Sequence, residues 1–352
     1  MRRHIKSPLL LGPLAAASLA FGLAASPELS AQPELPRKTS APLIMAVDGV
    51  EVVVRDLARS KAFFQALGFS GDTEEQLAGV AEAQRSGVAG ARVRRLQLTL
   101  GSEHLALLQY PAAPGRAVPA DTRGNDLWFQ HVAIVVSDMD RAFDWLRAHG
   151  VAYVSSAPQT LPAWNHAAAG IQAFYFADPD GHALELIHFP KGKGDPRWQT
   201  LASCKRTPAE LCLFLGIDHT AITVSNTEQS LRFYRGQLGL RVAGESENYG
   251  PEQEHLNGVF GARLRITALR AARGPGIELL EYLAPHGGRA LPRDSRANDL
   301  WHWQVVVSAG DSTAVATGAL STGGRLVSHA SPGHEVLVRD PDGHALLAHE
   351  SR

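Results

Sequence analysis

The stretch Gly115–Trp128 (GRAVPADTRGNDLW) returns almost unchanged as Gly288–Trp301 (GRALPRDSRANDLW). A second match follows in the same order, ADPDGHALE from Ala177 and RDPDGHALL from Arg339. Matches of this length mark an internal duplication, so an architecture adopted by one half is used again by the other. Each copy also serves as a reference for its twin, because a reactive residue kept in one and lost in the other is visible without any relative.

Each half divides again. VDGVEVVVRDLARSKAFFQALGF (from Val47) and IDHTAITVSNTEQSLRFYRGQLGL (from Ile217) both read as a β-branched strand, a polar turn and an amphipathic helix closing on Leu-Gly. Strand-like runs follow at Arg92–Thr99 and Leu105–Tyr110, and at Arg263–Leu269 and Gly276–Leu283. Second units open at Trp128 and Trp301, with helices expected over Met139–His149 and Ser312–Thr322. Their last two strands are joined by Asp-Pro-Asp-Gly at 178–181 and 340–343, where Pro presets one turn position and Gly permits positive φ. The expected fold is therefore α+β, with four tandem βαβββ modules over residues 44–110, 127–190, 213–283 and 299–350. A single module cannot bury both faces of its sheet, so modules must pair.

Composition narrows the function classes. A net charge of −1 and a pI near 7.0 leave no basic face for nucleic acid. Residues 1–25 combine Arg2, Arg3 and Lys6 with a small apolar run and read as a signal peptide, of either the general or the twin-arginine type. Residues 26–43 read as a flexible linker, and no later segment is apolar enough for a stable membrane span. The expected location is periplasmic or secreted. Cys204 and Cys212, the two cysteines, lack CxxC spacing and suit a structural loop better than a redox or zinc site. The polar segment 248–255, with Asn248, Tyr249, Glu252, Glu254 and His255, reads as a loop, either a lid or a solvated connector. Trp164 and His166 sit in a comparable loop.

The openings IDHTAITV and FQHVAIVV, the Leu-Gly helix end, the strand IELLEY and the hairpin DPDGHALELI together resemble the vicinal oxygen chelate superfamily. That group includes glyoxalase I, bleomycin-resistance proteins and extradiol dioxygenases, and the resemblance covers residues 44–350. It implies that the modules pair into two eight-stranded, cup-shaped half-barrels, with a metal bound by one residue on the first and one on the last strand of each module. Carried over by position, these are Gly49 and Ala106 in the first module, His131 and Glu185 in the second, His219 and Glu278 in the third, and Gln304 and Leu347 in the fourth. Only the middle modules hold a full set. If neighbours pair, one with two and three with four, that set is split; if two pairs with three, it is whole and the outer modules form a vacant cup. Complementary loss in the outer modules favours the second layout.

The residues themselves support the four ligands. Glu185 interrupts the apolar strand ALELI, and Glu278 interrupts GIELL. A buried carboxylate requires a metal or a cation. His131 and His219 are each followed two residues on, on the same strand face, by an alanine that leaves room beside the imidazole. Two His and two Glu suit a divalent transition ion, zinc, nickel, manganese or iron(II). Such an ion can polarise a carbonyl and stabilise an enediolate, with Glu185 or Glu278 as the catalytic base. The resemblance thus implies a metal-dependent lyase or isomerase acting on a small oxygen-rich molecule. The Arg and Asn that hold glutathione in glyoxalase I would fall on Val135 or Thr223 and on Phe189 or Tyr282, so glutathione is not the expected substrate. An extradiol dioxygenase, with ligands in modules three and four, meets Gln304 and Leu347. A metal-free binding protein of the bleomycin-resistance type is the remaining alternative.

Overall fold

The computed structural model describes residues 41–200, 212–329 and 335–350. The signal-peptide reading and Cys204 lie outside the described residues, as does most of the linker reading. No described helix is long and apolar enough to cross a membrane.

The first module comprises β1 (Ile44–Val53), α1 (Leu57–Ala66), β2 (Glu74–Ala78), α2 (Gly79–Ser86), β3 (Arg92–Leu100) and β4 (Glu103–Gln109). The second has β5 (Gln130–Val136), α3 (Met139–Ala148), β6 (Ala152–Tyr153), β7 (Gln159–Thr160), β8 (Gln172–Ala177) and β9 (Ala183–His188). The third has β10 (Phe214–Val224), α4 (Thr227–Leu231) running on into a π-helix at Arg232–Gln237, β11 (Arg241–Tyr249), α5 (Pro251–Asn257), β12 (Arg263–Arg270) and β13 (Gly276–Ala284). The fourth has β14 (Trp303–Ala309), α6 (Ser312–Ser321), β15 (Arg325–His329), β16 (Glu335–Arg339) and β17 (Ala345–Glu350).

In every module the polar turn after the first strand caps the following helix. Asp56, Asp138, Asn226 and Asp311 each accept a hydrogen bond from the backbone N–H three residues on, satisfying a donor the helix cannot pair internally. The segment 248–255 is not a loop. It holds the end of β11 and most of α5, with Gln253, Leu256 and Asn257 buried. The strand is polar because it lies at a sheet edge, and the helix, with Pro251 at its start, is too short for a periodic signal.

The strands form two sheets that cross the sequence halves. One has the order β15-β16-β17-β14-β1-β4-β3-β2 and joins module four to module one. The other, β11-β12-β13-β10-β5-β9-β8-β6, joins module three to module two. The second sheet has nine strands rather than eight because β6 and β7 both pair with β8, one edge strand in two pieces. Antiparallel contacts β1–β14 and β10–β5 weld each cup at its centre. The apolar cores follow the other division. One packs α1 and α3 through Phe64, Leu67 and Leu146 against strands of both sheets. The other does the same for the helices of modules three and four through Phe233, Leu238 and Ala319.

The duplicated motif is the clasp between halves. Arg289 lies over the Trp128 ring and makes a fork to buried Asp126, through Nε at 2.9 Å and Nη2 at 2.7 Å. Arg116 does the same to Trp301 and buried Asp299, at 3.0 and 2.7 Å. Each motif's start thus grips the other motif's end. The preceding glycines are required by close approach: a Cβ on Gly115 would fall 2.0 Å from Asn298 O, and one on Gly288 would fall 1.6 Å from Asn125 O.

Candidate metal centre

Register places the predicted ligands on one patch of the cup made by modules two and three. One cross-strand row runs Glu278, Ala221, His131, Ala183; the next runs Gly276, His219, Ala133, Glu185. Donors and small residues alternate like a chequerboard, and the side chains share a face because neighbours in a row point the same way. The alanines two residues after each histidine fill the squares between ligands.

His131, Glu185 and His219 place one donor atom each within 4.8 Å of one another, and all three are buried. His131 Nε2 lies 3.1 Å from Glu185 Oε2, and His219 Nε2 lies 3.4 Å from the same oxygen. Glu278 stands at the edge of this set, its Oε2 3.4 Å from His219 Nε2, with a side chain 23% exposed against 6% for Glu185.

Both nitrogens of His131 and Nε2 of His219 are buried without a hydrogen-bond partner among the described residues. Buried polar atoms are seldom left so, and such atoms call for an explanation. Burial opposes protonation of His219, but the charge of Glu278 and the carboxylates of Asp218 and Glu185 outweigh it and hold its pKa well above the ordinary value. Burial likewise pushes Glu185 up, yet the two imidazoles bring it down to about 2. The pocket is built for a positive charge between its carboxylates and imidazoles. Two nitrogens and one or two carboxylate oxygens fit a divalent transition ion in donor type and charge.

The sequence reading did not single out Asp218 or Tyr175, and named Tyr282 only as a position where the resemblance would put a glutathione-holding Asn. Asp218 Oδ2 accepts from His219 Nδ1 at 3.0 Å and from Arg270 Nη2 at 2.8 Å, and its Oδ1 accepts from Trp198 Nε1 at 3.0 Å. Strand alternation puts Asp218 on the face opposite His219, but a register shift between Ile217 and His219 brings them together. The Tyr175 ring packs 4.8 Å from that of His131. Tyr282 accepts a hydrogen bond from Asn257 on α5 and so ties that helix into the cup. Trp164 stacks on Tyr249 at 4.3 Å, joining a loop of module two to the end of β11.

Two stretches covering most of the chain, residues 46–186 and 216–347, match the model of the Glyoxalase/Bleomycin resistance protein/Dioxygenase superfamily. The chain belongs to this superfamily. Glyoxalase I from Zea mays superposes with a TM-score of 0.57 at 16% identity, covering 87% of this chain and 92% of that one. A putative dioxygenase from Bacillus subtilis subsp. subtilis str. 168 superposes with a TM-score of 0.52 at 15% identity, covering 88% and 86%. At these identities the two likenesses establish the fold. A 2-epi-5-epi-valiolone epimerase from Actinomyces sp. is 39% identical over 107 residues, 30% of this chain. The match spans 55% of that relative's length.

Each superfamily match joins two consecutive modules, whereas each cup draws one module from either match. The residues an extradiol-type site would need in modules three and four are therefore parted, His219 in one sheet and Gln304 and Leu347 in the other. In the outer cup Gly49, Ala106, Gln304 and Leu347 occupy the squares equivalent to His219, Glu278, His131 and Glu185. The square of Ala221 is taken by Glu51, which is buried and pairs with Gln304 across the strands. Glu51 accepts from Arg85 Nη2 at 2.9 Å and from Arg95 Nε at 2.8 Å. Burial raises its pKa, but the two guanidinium groups prevail and lower it. Where the inner cup has its His and Glu set, the outer cup has an internal ion cluster.

Proposed function

We propose that the cup of modules two and three holds a divalent transition ion and catalyses proton transfer beside a carbonyl of a small oxygen-rich substrate, as an epimerase or related isomerase. The observation that carries this reading is the buried His131–Glu185–His219 set, in which both His131 nitrogens and His219 Nε2 lack hydrogen-bond partners among the described residues and the carboxylate is held ionised, with a second, more exposed carboxylate, Glu278, at its rim. His131, His219 and Glu185 are the residues that would hold the ion. Bound there, it supplies a Lewis acid for a substrate oxygen.

The two glutamates divide the remaining work by environment. Glu185, enclosed by two imidazoles and held near 2, is a poor proton acceptor at neutral pH and a good ligand. Glu278 faces the open part of the cup and touches the set only through His219, which suits a group that takes a proton from one carbon face and returns it. The likeness to a 2-epi-5-epi-valiolone epimerase over part of the chain supports an isomerase over a lyase.

The test is elemental mass spectrometry of the untagged protein, with deuterium wash-in from D2O into α-hydroxy ketones. Wild type should carry one ion per chain and exchange the proton next to the carbonyl. His131→Ala should lose the ion; Glu278→Gln should keep most of it and exchange at least about a hundredfold more slowly. Wild type without an ion after reconstitution, or Glu278→Gln exchanging at the wild-type rate, refutes the assignment.

A further inference from the structure

A cavity of about 410 Å³ lies at one end of the inner cup, where the connector 118–124 meets the starts of β5, β9 and β14 and the end of α5. Four aromatic side chains line it, Trp128, Phe129, Trp301 and Trp303. No aspartate or glutamate is among its described lining residues, and its basic members are Arg123 and His182. His182 is committed to Asp178 and to Leu300 O. Arg123 is exposed at the rim. Its backbone N–H is engaged by Asp126 at 2.9 Å, while its guanidinium has no partner among the described residues.

Gln130, in the wall, is unpartnered as well. The residue is 6% exposed, and its Oε1 is buried without a hydrogen-bond partner among the described residues. Its Nε2 also bonds to none of them but is not sealed in, so the amide N–H edge is what the side chain offers to the cavity. A buried carboxamide is seldom left without partners. A free guanidinium and a free amide donor, in a lining without acids, match an acceptor that carries negative charge. The aromatic walls match a planar body, since ring pairs gain beyond the area they bury. The cavity is set off from the metal centre by a single layer. The Phe129 ring lies 6.0 Å from that of His131, and Ala183 is the cross-strand neighbour of His131.

We propose that this cavity is a second binding site, for a small aromatic carboxylate. The ring packs among the four aromatic side chains, and the carboxylate accepts from Gln130 Nε2 and from the Arg123 guanidinium. The volume is that of a pocket for one small ligand. The site is distinct from the centre proposed above, since none of its lining residues is His131, Glu185, His219 or Glu278.

Isothermal titration of the whole protein with benzoate, benzamide, cyclohexanecarboxylate and benzylammonium tests this. Benzoate should bind at least about tenfold more tightly than benzamide. It should bind at least about threefold more tightly than cyclohexanecarboxylate. Benzylammonium should give no saturable heat. Arg123→Gln, a change at an exposed and unpaired side chain, should weaken benzoate about tenfold, and Gln130→Leu about fivefold with an unchanged far-UV circular dichroism spectrum. His219→Ala should leave benzoate binding as it is, because the acid does not sit on the metal centre. Equal affinity for benzoate and either analogue, unaltered binding in Arg123→Gln, loss in His219→Ala, or no binding of any probe overturns the proposal.

Discussion

At the scale of single residues, Asp218 shows how a ligand is aimed. It accepts from His219 Nδ1 and is itself held by Arg270 and Trp198, which fixes the ring and directs Nε2 toward Glu185 and Glu278. Carboxylates behind a ligating histidine typically contribute about 10–100-fold to metal affinity. Asp218→Asn should therefore weaken binding of zinc by about that factor in a chelator-competition titration, while far-UV circular dichroism stays unchanged. An affinity equal to wild type would show that the ring is oriented by packing alone. His131 and Glu185 were legible because the family resemblance puts ligands at those positions, Glu185 also interrupts an apolar strand, and His131 is followed two residues on by an alanine on the same face. Asp218 was not, since alternation assigns it to the wrong side and only a local shift in register corrects this. Glu51 was hidden differently: it interrupts an apolar strand as plainly as Glu185 does, but its partners Arg85 and Arg95 lie on α2 and β3, and nothing in the chain order brings them to it.

At the scale of elements, the two Asp-Pro-Asp-Gly hairpins do more than turn the chain. The histidine after each turn has its Nδ1 against the turn's own aspartate, His182 to Asp178 at 2.8 Å and His344 to Asp340 at 3.0 Å. Each Nε2 meets a carbonyl of the opposite half, Leu300 O at 2.6 Å and Leu127 O at 2.8 Å. Both ring nitrogens donate, which only the imidazolium can do. Burial would lower both pKa values, but the aspartate charge and the hydrogen bonds raise them above the ordinary 6.5. A folded-state value above the unfolded one stabilises fully below about 6.5 and is lost as pH rises through the folded value. Denaturant midpoints should accordingly fall between neutral and mildly alkaline pH, and His182→Gln with His344→Gln should flatten that decline. An undiminished slope in the double variant would assign the loss to other groups. The sequence reading placed these hairpins. It did not find the second bond, because the carbonyls they reach lie more than a hundred residues away.

At the scale of the whole molecule, the halves are bound by strands that cross between them, by the hairpin histidines and by the paired arginine clasps. Each clasp is a planar fork on a buried aspartate with a tryptophan beneath it, a geometry that lysine cannot reproduce. Arg289→Ala should lower the urea midpoint of unfolding at neutral pH, and Arg289→Lys should recover less than half of the loss. Full rescue by lysine would reduce the clasp to a simple charge contact. The repeat made four modules legible from the chain, and the family resemblance implied that they pair into two cups. Pairing was inferred from which modules kept their ligands, whereas the division of the cores, consecutive modules sharing one and alternate halves sharing a sheet, follows from packing that one-dimensional periodicity does not encode.

The crossing of the sheets has a consequence for inheritance. Were the two halves separate identical chains, every codon would be expressed in both cups, and a substitution at a ligand square would remove both sites together. Joined in one reading frame, the copies mutate independently, and because each cup takes one module from either copy, two changes in different halves can fall on the same cup and spare its twin. Gly49 with Ala106 from one half, and Gln304 with Leu347 from the other, differ in this way and stand together in one cup. One reading frame thus lets one cup hold a buried ion cluster while its sibling holds the His and Glu set.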